Sequence, residues 1–237
     1  MSVFYKGDCL QILRDQIKSK TVNLIYIDPP FGTTSNYWDE QLDWSAIFKE
    51  CFRVLTPRGM LVIHCSIPFN YELIRAAPKP PSHSWYWLKD SHTNPLISKV
   101  QPLRQVEEIL VWKNKQPVYN PQKIGTDLRP STYMTTTSYF GKDKKGSVSF
   151  NVGKFRNHFV QMPRLLDGFS TRPKELIKLM IDSYSNEGDT ILDLFCYKGI
   201  SSTQKGNRKW IGIDKHFFPQ YLVQAKSWFR LKLILLE

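Results

Sequence analysis

The strand-like segments that stand between helical patterns in this chain are apolar along their whole length. "VNLIYI" (22–27), "MLVIHCS" (60–66), "DTILDLFC" (189–196) and "KWIGIDK" (209–215) show no regular polar alternation. A strand that is apolar on both faces is buried on both. That is the situation of a mostly parallel sheet with helices packed above and below it. Helical stripes fill the intervening positions. Leu10, Ile12, Leu13 and Ile17 recur at helical spacing, as do Trp44, Ile47, Phe48, Cys51 and Leu55. Leu176, Ile177, Met180, Ile181 and Tyr184 follow Pro173, a residue suited to a first helical turn. "SVFYKGD", "SWYWLKD" and "VEEILVWKN" read as further strands, "TPRG" (56–59) as a turn, and Tyr221–Leu235 as a closing amphipathic segment.

Residues 112–165 differ in kind. They are rich in Thr, Ser, Asn, Gly and aromatics and carry ten Lys and Arg against two Asp. Much of the net charge of +12 therefore sits in one stretch. Such a basic, aromatic segment reads as a long loop or small subdomain that meets a polyanion, most often nucleic acid. Lys142, Lys144, Lys145, Lys154 and Arg156 are its candidate phosphate contacts.

The strand 22–27 runs straight into Asp28, Pro29, Pro30 and Phe31. Ligands of open α/β sheets bind beyond the carboxyl ends of strands, where Asp28 falls. The two prolines fix their own φ and push each preceding residue toward an extended shape. They also remove two N–H donors, so the corner presents acceptors beside an aromatic face. Two acceptors and a flat ring suit a planar base bearing an exocyclic amine, and stacking on Phe31 adds about 1–3 kcal/mol. A plain strand-end turn with a buried aspartate is the alternative. A second constellation occupies 188–214: strand, small-residue turn, helix, strand, acid. Asp193 ends its first strand, Phe195 and Gly199 lie in the turn, and Asp214 ends its second strand, placed to take two ribose hydroxyls.

In this combination the chain resembles the amino-methylating DNA methyltransferases of the permuted beta group. The order agrees: "DPPF" (28–31), a variable basic region, "GFSTRP" (168–173), "DLFCYKG" (193–199) and "IGID" (211–214). The resemblance implies a Rossmann-like, mostly parallel seven-stranded sheet in circularly permuted order, with an inserted target-recognition region. It divides the chain into a catalytic half (1–114), the insertion (115–165) and a cofactor-binding half (166–237). It implies S-adenosylmethionine as methyl donor, no metal, and a flipped adenine in double-stranded DNA as acceptor. Asp28 and the Pro29 carbonyl would hold the amine, with Pro30 stiffening the corner and Phe31 stacking on the base. Asp8 and Cys9, Ser170 and Thr171, and Asp28, Asp193, Phe195, Cys196, Gly199 and Asp214 would line the cofactor. A restriction endonuclease partner or a homodimer, and a cytoplasmic location, belong to the same expectation.

One departure stands out. The family turn D-x-F-x-G-x-G has Tyr197 in place of its first glycine, followed by Lys198. A tyrosine there is expected to reroute the backbone or fill part of the site, and the helix that follows is expected to be clipped. A cytosine-N4 or RNA amine methyltransferase, and a catalytically silent DNA-binding subunit, remain as alternatives. The four cysteines form no CxxC pair and the five histidines no metal-ligand spacing. No apolar run approaches the ~18 residues of a membrane span. His64, Trp85 and Trp87 read as core residues.

Overall fold

The computed structural model describes residues 2–32, 36, 39–93, 98–132, 148–164, 172–216 and 231–235. Its strands are β1 (Ser2–Lys6), β2 (Val22–Ile27), β3 (Leu55–Cys65), β4 (His83–Thr93), β5 (Arg104–Lys113), β6 (Lys123–Thr132), β7 (Val148–Phe155), β8 (Phe159–Gln161), β9 (Thr190–Leu194), β10 (Lys209–Asp214) and β11 (Leu231–Leu235). The helices are α1 (Cys9–Gln16), α2 (Trp44–Val54), α3 (Phe69–Ala76), α4 (Lys174–Tyr184) and α5 (Ile200–Gln204). The chain divides into two compact units, residues 1–120 with 158–237, and residues 121–157.

In the larger unit nine strands form one sheet in the order β11-β1-β10-β9-β2-β3-β5-β4-β8. Only β5 runs against its neighbours; the other pairings are parallel. The α/β class is as expected, but the count of seven is corrected to nine. Short edge strands, β11 and the three-residue β8, flank the seven that run from β1 to β4 in that order. The smaller unit is the antiparallel pair β6–β7.

Both faces of the sheet are covered, which is why its strands are apolar throughout. Ile25, Ile27, Leu61, Ile63, Leu192 and Leu194 pack with α1, α2 and α3 on one face. Leu24, Tyr26, Met60, Val62 and Ile191 pack with α4 on the other. Asp8 caps α1, accepting the Gln11 N–H at 2.9 Å, and Asp43 caps α2, accepting the Ala46 N–H at 3.0 Å. Pro173 stands at the N-cap of α4, one place earlier than expected. The "TPRG" turn is corrected: 56–59 lie inside β3 as a bulge, with Val22 opposite Leu55 and Leu24 already opposite Met60. Among the described residues no helix is long and apolar enough to cross a membrane.

The permuted chain order leaves a continuous carboxyl edge. β2, early in the chain, pairs with β9, near its end, with Tyr26 opposite Asp193 and Ile27 opposite Leu194. From β9 the connections wind in one direction to β10, and from β2 in the other to β3. The β9–β2 junction is thus the switch point at which such sheets open a crevice.

Candidate active site

Four adjacent strands, β1, β10, β9 and β2, bring four carboxylates to the same edge. Asp8 follows β1, Asp214 ends β10, Asp193 lies in β9, and Asp28 follows β2. Each is held differently.

Asp28 sits at the mouth of the crevice with its side chain 28% exposed. The Arg172 guanidinium meets its Oδ1 at 2.7 Å. Among the described residues no hydrogen bond reaches Oδ2. Burial pushes the carboxyl above the usual range; Arg172 first, then His64 and Lys89, pull it back, while Glu107 adds to the rise. Pro29 is buried beneath. Phe31 stacks on Phe69 with ring centroids 5.0 Å apart, and Phe69 meets Trp44 edge-on at 5.4 Å. Gly32, at a φ of 64°, turns the chain away, and its N–H donates to Asp39 Oδ1 at 2.7 Å. The corner is therefore anchored by aromatic packing on one side and by an ion pair on the other.

The turn after β9 alternates left-handed residues: Phe195 (φ 62°), Tyr197 (φ 40°) and Gly199 (φ 63°). Tyr197 stands where the family turn has its first glycine. It takes up the left-handed conformation itself, so the departure is stored as local strain of roughly 1–2 kcal/mol. The turn closes with the Tyr197 N–H donating to Asp214 Oδ2 at 2.7 Å and the Gly199 N–H to the Cys196 carbonyl at 2.6 Å. Helix α5 is indeed short, five residues.

Asp214 also accepts the His216 N–H on Oδ1 at 2.7 Å, and its own carbonyl takes the Gly7 N–H. Burial raises its carboxyl; the two N–H groups lower it. Each of its oxygens keeps a lone pair, so a vicinal diol can still donate to it. Asp193 is buried and accepts from the Ser201 hydroxyl, which in turn accepts the Trp210 indole N–H at 2.8 Å. Burial holds the Asp193 carboxyl well above its usual range, with Asp28 and Asp214 adding to the effect. Cys196 is buried, its thiol pushed well up by burial; Cys9 is pushed up to about 12 for the same reason. Both fill space and neither is a thiolate.

Ser170 and Thr171, and Lys142, Lys144 and Lys145, lie outside the described residues. Lys154 falls in β7 opposite Ile124, and the Arg156 N–H donates to the Gln122 carbonyl at 3.1 Å, both within the 121–157 unit. Among the described residues no group of three His, Cys, Asp or Glu is placed to hold a metal.

The sequence profile of the N6/N4 DNA methylases matches residues 22–226. The chain belongs to that family. Among curated members it is 26% identical over 231 residues to the type II methyltransferase M.BamHI of Bacillus amyloliquefaciens, covering 89% of this chain and 53% of that protein. It thus spans about half the length of that relative. It is 27% identical over 230 residues to the DNA adenine methyltransferase YhdJ of Escherichia coli, covering 88% of this chain and 76% of that one. The cytosine-N4-specific PvuII DNA methyltransferase superposes with a TM-score of 0.68 at 15% identity, covering 97% of this chain and 88% of that one. TTHA0409 of Thermus thermophilus, solved with S-adenosyl-L-methionine, superposes with a TM-score of 0.65 at 18% identity, covering 99% and 98%. At these identities the structural likeness establishes the methylase fold.

Against that family pattern, the residues that sequence reading misses are those behind Asp28: Arg172, Glu107 and Lys89, with His64 and Tyr26. Arg172 stands next to the candidates Ser170 and Thr171. Glu107 does carry a signal, as one of two adjacent acids leading into the apolar run of β5, and it is 3% exposed.

Proposed function

We propose that this chain transfers a methyl group from S-adenosylmethionine to the N6 amine of a flipped adenine in double-stranded DNA. The observation that carries this is the adjacency of Asp28 to the 195–199 turn across the β2–β9 pairing. A donor-poor, acceptor-rich corner then faces the place where a nucleoside-bearing cofactor is held.

The cofactor fits the groups present. Asp214 has lone pairs left for a ribose diol, the 195–199 turn lies at the same edge beside it, and Asp8, Asp193, Ser170 and Thr171 are the further candidates to hold it. When bound, it supplies an electrophilic methyl group on a sulfonium. The protein's own part is placement. Asp28 Oδ2 and the Pro29 carbonyl accept the two amine hydrogens, which localises the nitrogen lone pair, and Phe31 limits the tilt of the base. The amine needs no strong base before transfer; the surplus proton would leave the methylated nitrogen afterwards, by way of Asp28 or water, so most of the acceleration comes from holding the reactants in line. Residues 115–165, with Lys142, Lys144, Lys145, Lys154 and Arg156, serve as the DNA-reading insertion. A restriction endonuclease acting at the same DNA sites is the partner that a type II relative suggests.

Nucleoside mass spectrometry after incubation with unmethylated DNA tests this reading. N6-methyladenine is expected. N4-methylcytosine alone would transfer the assignment to cytosine, the base named for the PvuII enzyme. No product, together with no calorimetric binding of S-adenosylmethionine, would make the chain a silent DNA-binding subunit. Asp28→Ala is expected to abolish transfer while keeping cofactor affinity; transfer at near wild-type rate would refute the role given to Asp28.

A further inference from the structure

Behind Asp28 lies a polar network that the transfer of a methyl group does not itself require. Arg172 bridges two carboxylates: one guanidinium nitrogen meets Asp28 Oδ1 at 2.7 Å, and Nε meets Glu107 Oε1 at 2.8 Å. Glu107 is also engaged by His64 Nδ1 at 2.9 Å and by Lys89 Nζ at 3.0 Å. His64 Nε2 lies 2.8 Å from the Tyr26 hydroxyl. These side chains come from β2, β3, β4, β5 and the segment just before α4, and His64, Glu107 and Arg172 are each more than nine-tenths buried.

The donors and acceptors assign themselves. Arg172, His64 and Lys89 hold the Glu107 carboxyl well below its usual range against the opposing effect of burial, so it is an acceptor only. His64 Nδ1 therefore donates to it, while Nε2 shares a hydrogen bond with the Tyr26 hydroxyl. The 3.4 Å approach of Arg172 Nε to Nδ1 is then a contact and not a hydrogen bond. Asp28 and Glu107 are balanced by Arg172 and Lys89. The Arg172 guanidinium also lies over the Trp87 ring, 5.9 Å from its centroid.

We propose that Arg172 is a positioning residue of the reaction: it fixes Asp28 through Oδ1 so that Oδ2 alone faces the substrate amine, and Glu107, backed by His64, Tyr26 and Lys89, fixes Arg172. The proposal rests on Asp28 being the amine acceptor. A free carboxylate rotates about its Cβ–Cγ bond and offers either oxygen; one whose Oδ1 is held by a guanidinium itself fixed on Glu107 presents Oδ2. Lysine carries the charge but cannot span two carboxylates with a rigid fork.

The test uses the full chain with DNA and S-adenosylmethionine, measuring single-turnover rate against pH, cofactor affinity by calorimetry, and thermal unfolding. Besides Arg172, the charged and titratable groups around Asp28 are His64, Glu107, Lys89, Tyr26 and Asp193. Arg172→Gln is expected to lower the plateau rate tenfold or more. It should also move the acidic limb of the profile up by about 1–3 pH units, because an opposing charge is removed from beside a carboxylate. Arg172→Lys is expected to restore the limb but not the plateau, with cofactor affinity within about threefold of wild type in both variants. An Arg172→Gln profile with unmoved plateau and limb would overturn the proposal. So would a loss accounted for entirely by weaker cofactor binding. If Arg172→Gln does not fold, Arg172→Lys decides: an unchanged plateau overturns the proposal. Asp28→Asn separates the two levels. If that variant keeps the wild-type rate, the parent role of Asp28 has failed; if it is inactive while Arg172→Lys keeps the wild-type plateau, only the positioning role has.

Discussion

Replacing Glu107 by Gln keeps the volume and removes one charge from the centre of the network. Three cationic or polar donors lose their carboxylate: Arg172 Nε at 2.8 Å, His64 Nδ1 at 2.9 Å and Lys89 Nζ at 3.0 Å. The glutamine oxygen can still accept from one of them, but its NH2 group must face another donor. Lys89, whose side chain is 12% exposed, can turn to water; Arg172 and His64 cannot. Breaking one partner of a buried pair costs about 3–5 kcal/mol, and the variant should fall at that level at pH 7 in urea denaturation. The pH dependence gives a second reading with a fixed sign. The folded-state pKa of Glu107 lies well below its unfolded value of about 4.3. Its contribution is therefore fully present above that unfolded value and is lost as pH falls from there toward the folded one. Wild type and Glu107→Gln should consequently differ by a constant amount from pH 7 to about 5, and converge below about 4. A deficit under 1 kcal/mol at pH 7, or a deficit that stays constant down to pH 3, would refute the picture of Glu107 as the ionised hub.

Three further outcomes follow from other parts of the fold. A Cβ at Gly212 would stand 2.0 Å from Cη2 of Trp210, so Gly212→Ala should cost about 1–3 kcal/mol in urea unfolding; because the same indole supports Ser201 and hence Asp193, calorimetry should also show weaker S-adenosylmethionine binding. Tyr197→Gly relieves a left-handed tyrosine but gains glycine's freedom in the unfolded chain, two terms of about 1 kcal/mol each, so stability should move by less than about 1 kcal/mol, and a larger loss in a thermal melt would show that the ring contributes packing. Neutralising Lys144 and Lys145 together should flatten the slope of log affinity against log salt by about 1 for each phosphate that the pair neutralises in the wild type, read from DNA titrations at several salt concentrations.

What can be read from the sequence is what is local. The strands β2, β9 and β10 announce themselves as apolar runs because both of their faces are covered, and the DPPF corner does so because proline chemistry acts on adjacent residues. The three-residue β8 carries too little pattern to be seen. The "TPRG" segment misleads because a bulge and a turn share the same residues; only the pairing of Leu55 with Val22 and Met60 with Leu24 tells them apart. The network behind Asp28 is illegible for a different reason. His64 does look like a satisfied core residue, and it is one, bonded on both nitrogens. But its partners lie on β2 and β5, and their meeting is a consequence of strand order, which no local pattern contains.

That strand order also explains why a permuted chain can hold the site at all. The corner at 28–31 belongs to the first half of the sequence, whereas the 195–199 turn, Asp214 and Arg172 belong to the last part. Parallel pairing of β2 with β9 joins the two halves in the middle of the sheet, so the crevice depends on register and not on which half the ribosome makes first. Arg172 adds a second, electrostatic joint. Without it, burial and Glu107 would push the Asp28 carboxyl further upward, and in the role proposed for Asp28 a protonated carboxyl would accept amine hydrogens poorly. On the proposed roles, the rigid corner written into the early sequence needs Arg172, from the later segment, to finish its chemistry. The residue that finishes it stands just before α4, the helix that packs on the face of the sheet opposite α1, α2 and α3. If Asp28 and Asp214 have the roles proposed for them, a variant that loosens α4 should lower the rate through Asp28 before it lowers cofactor affinity through Asp214.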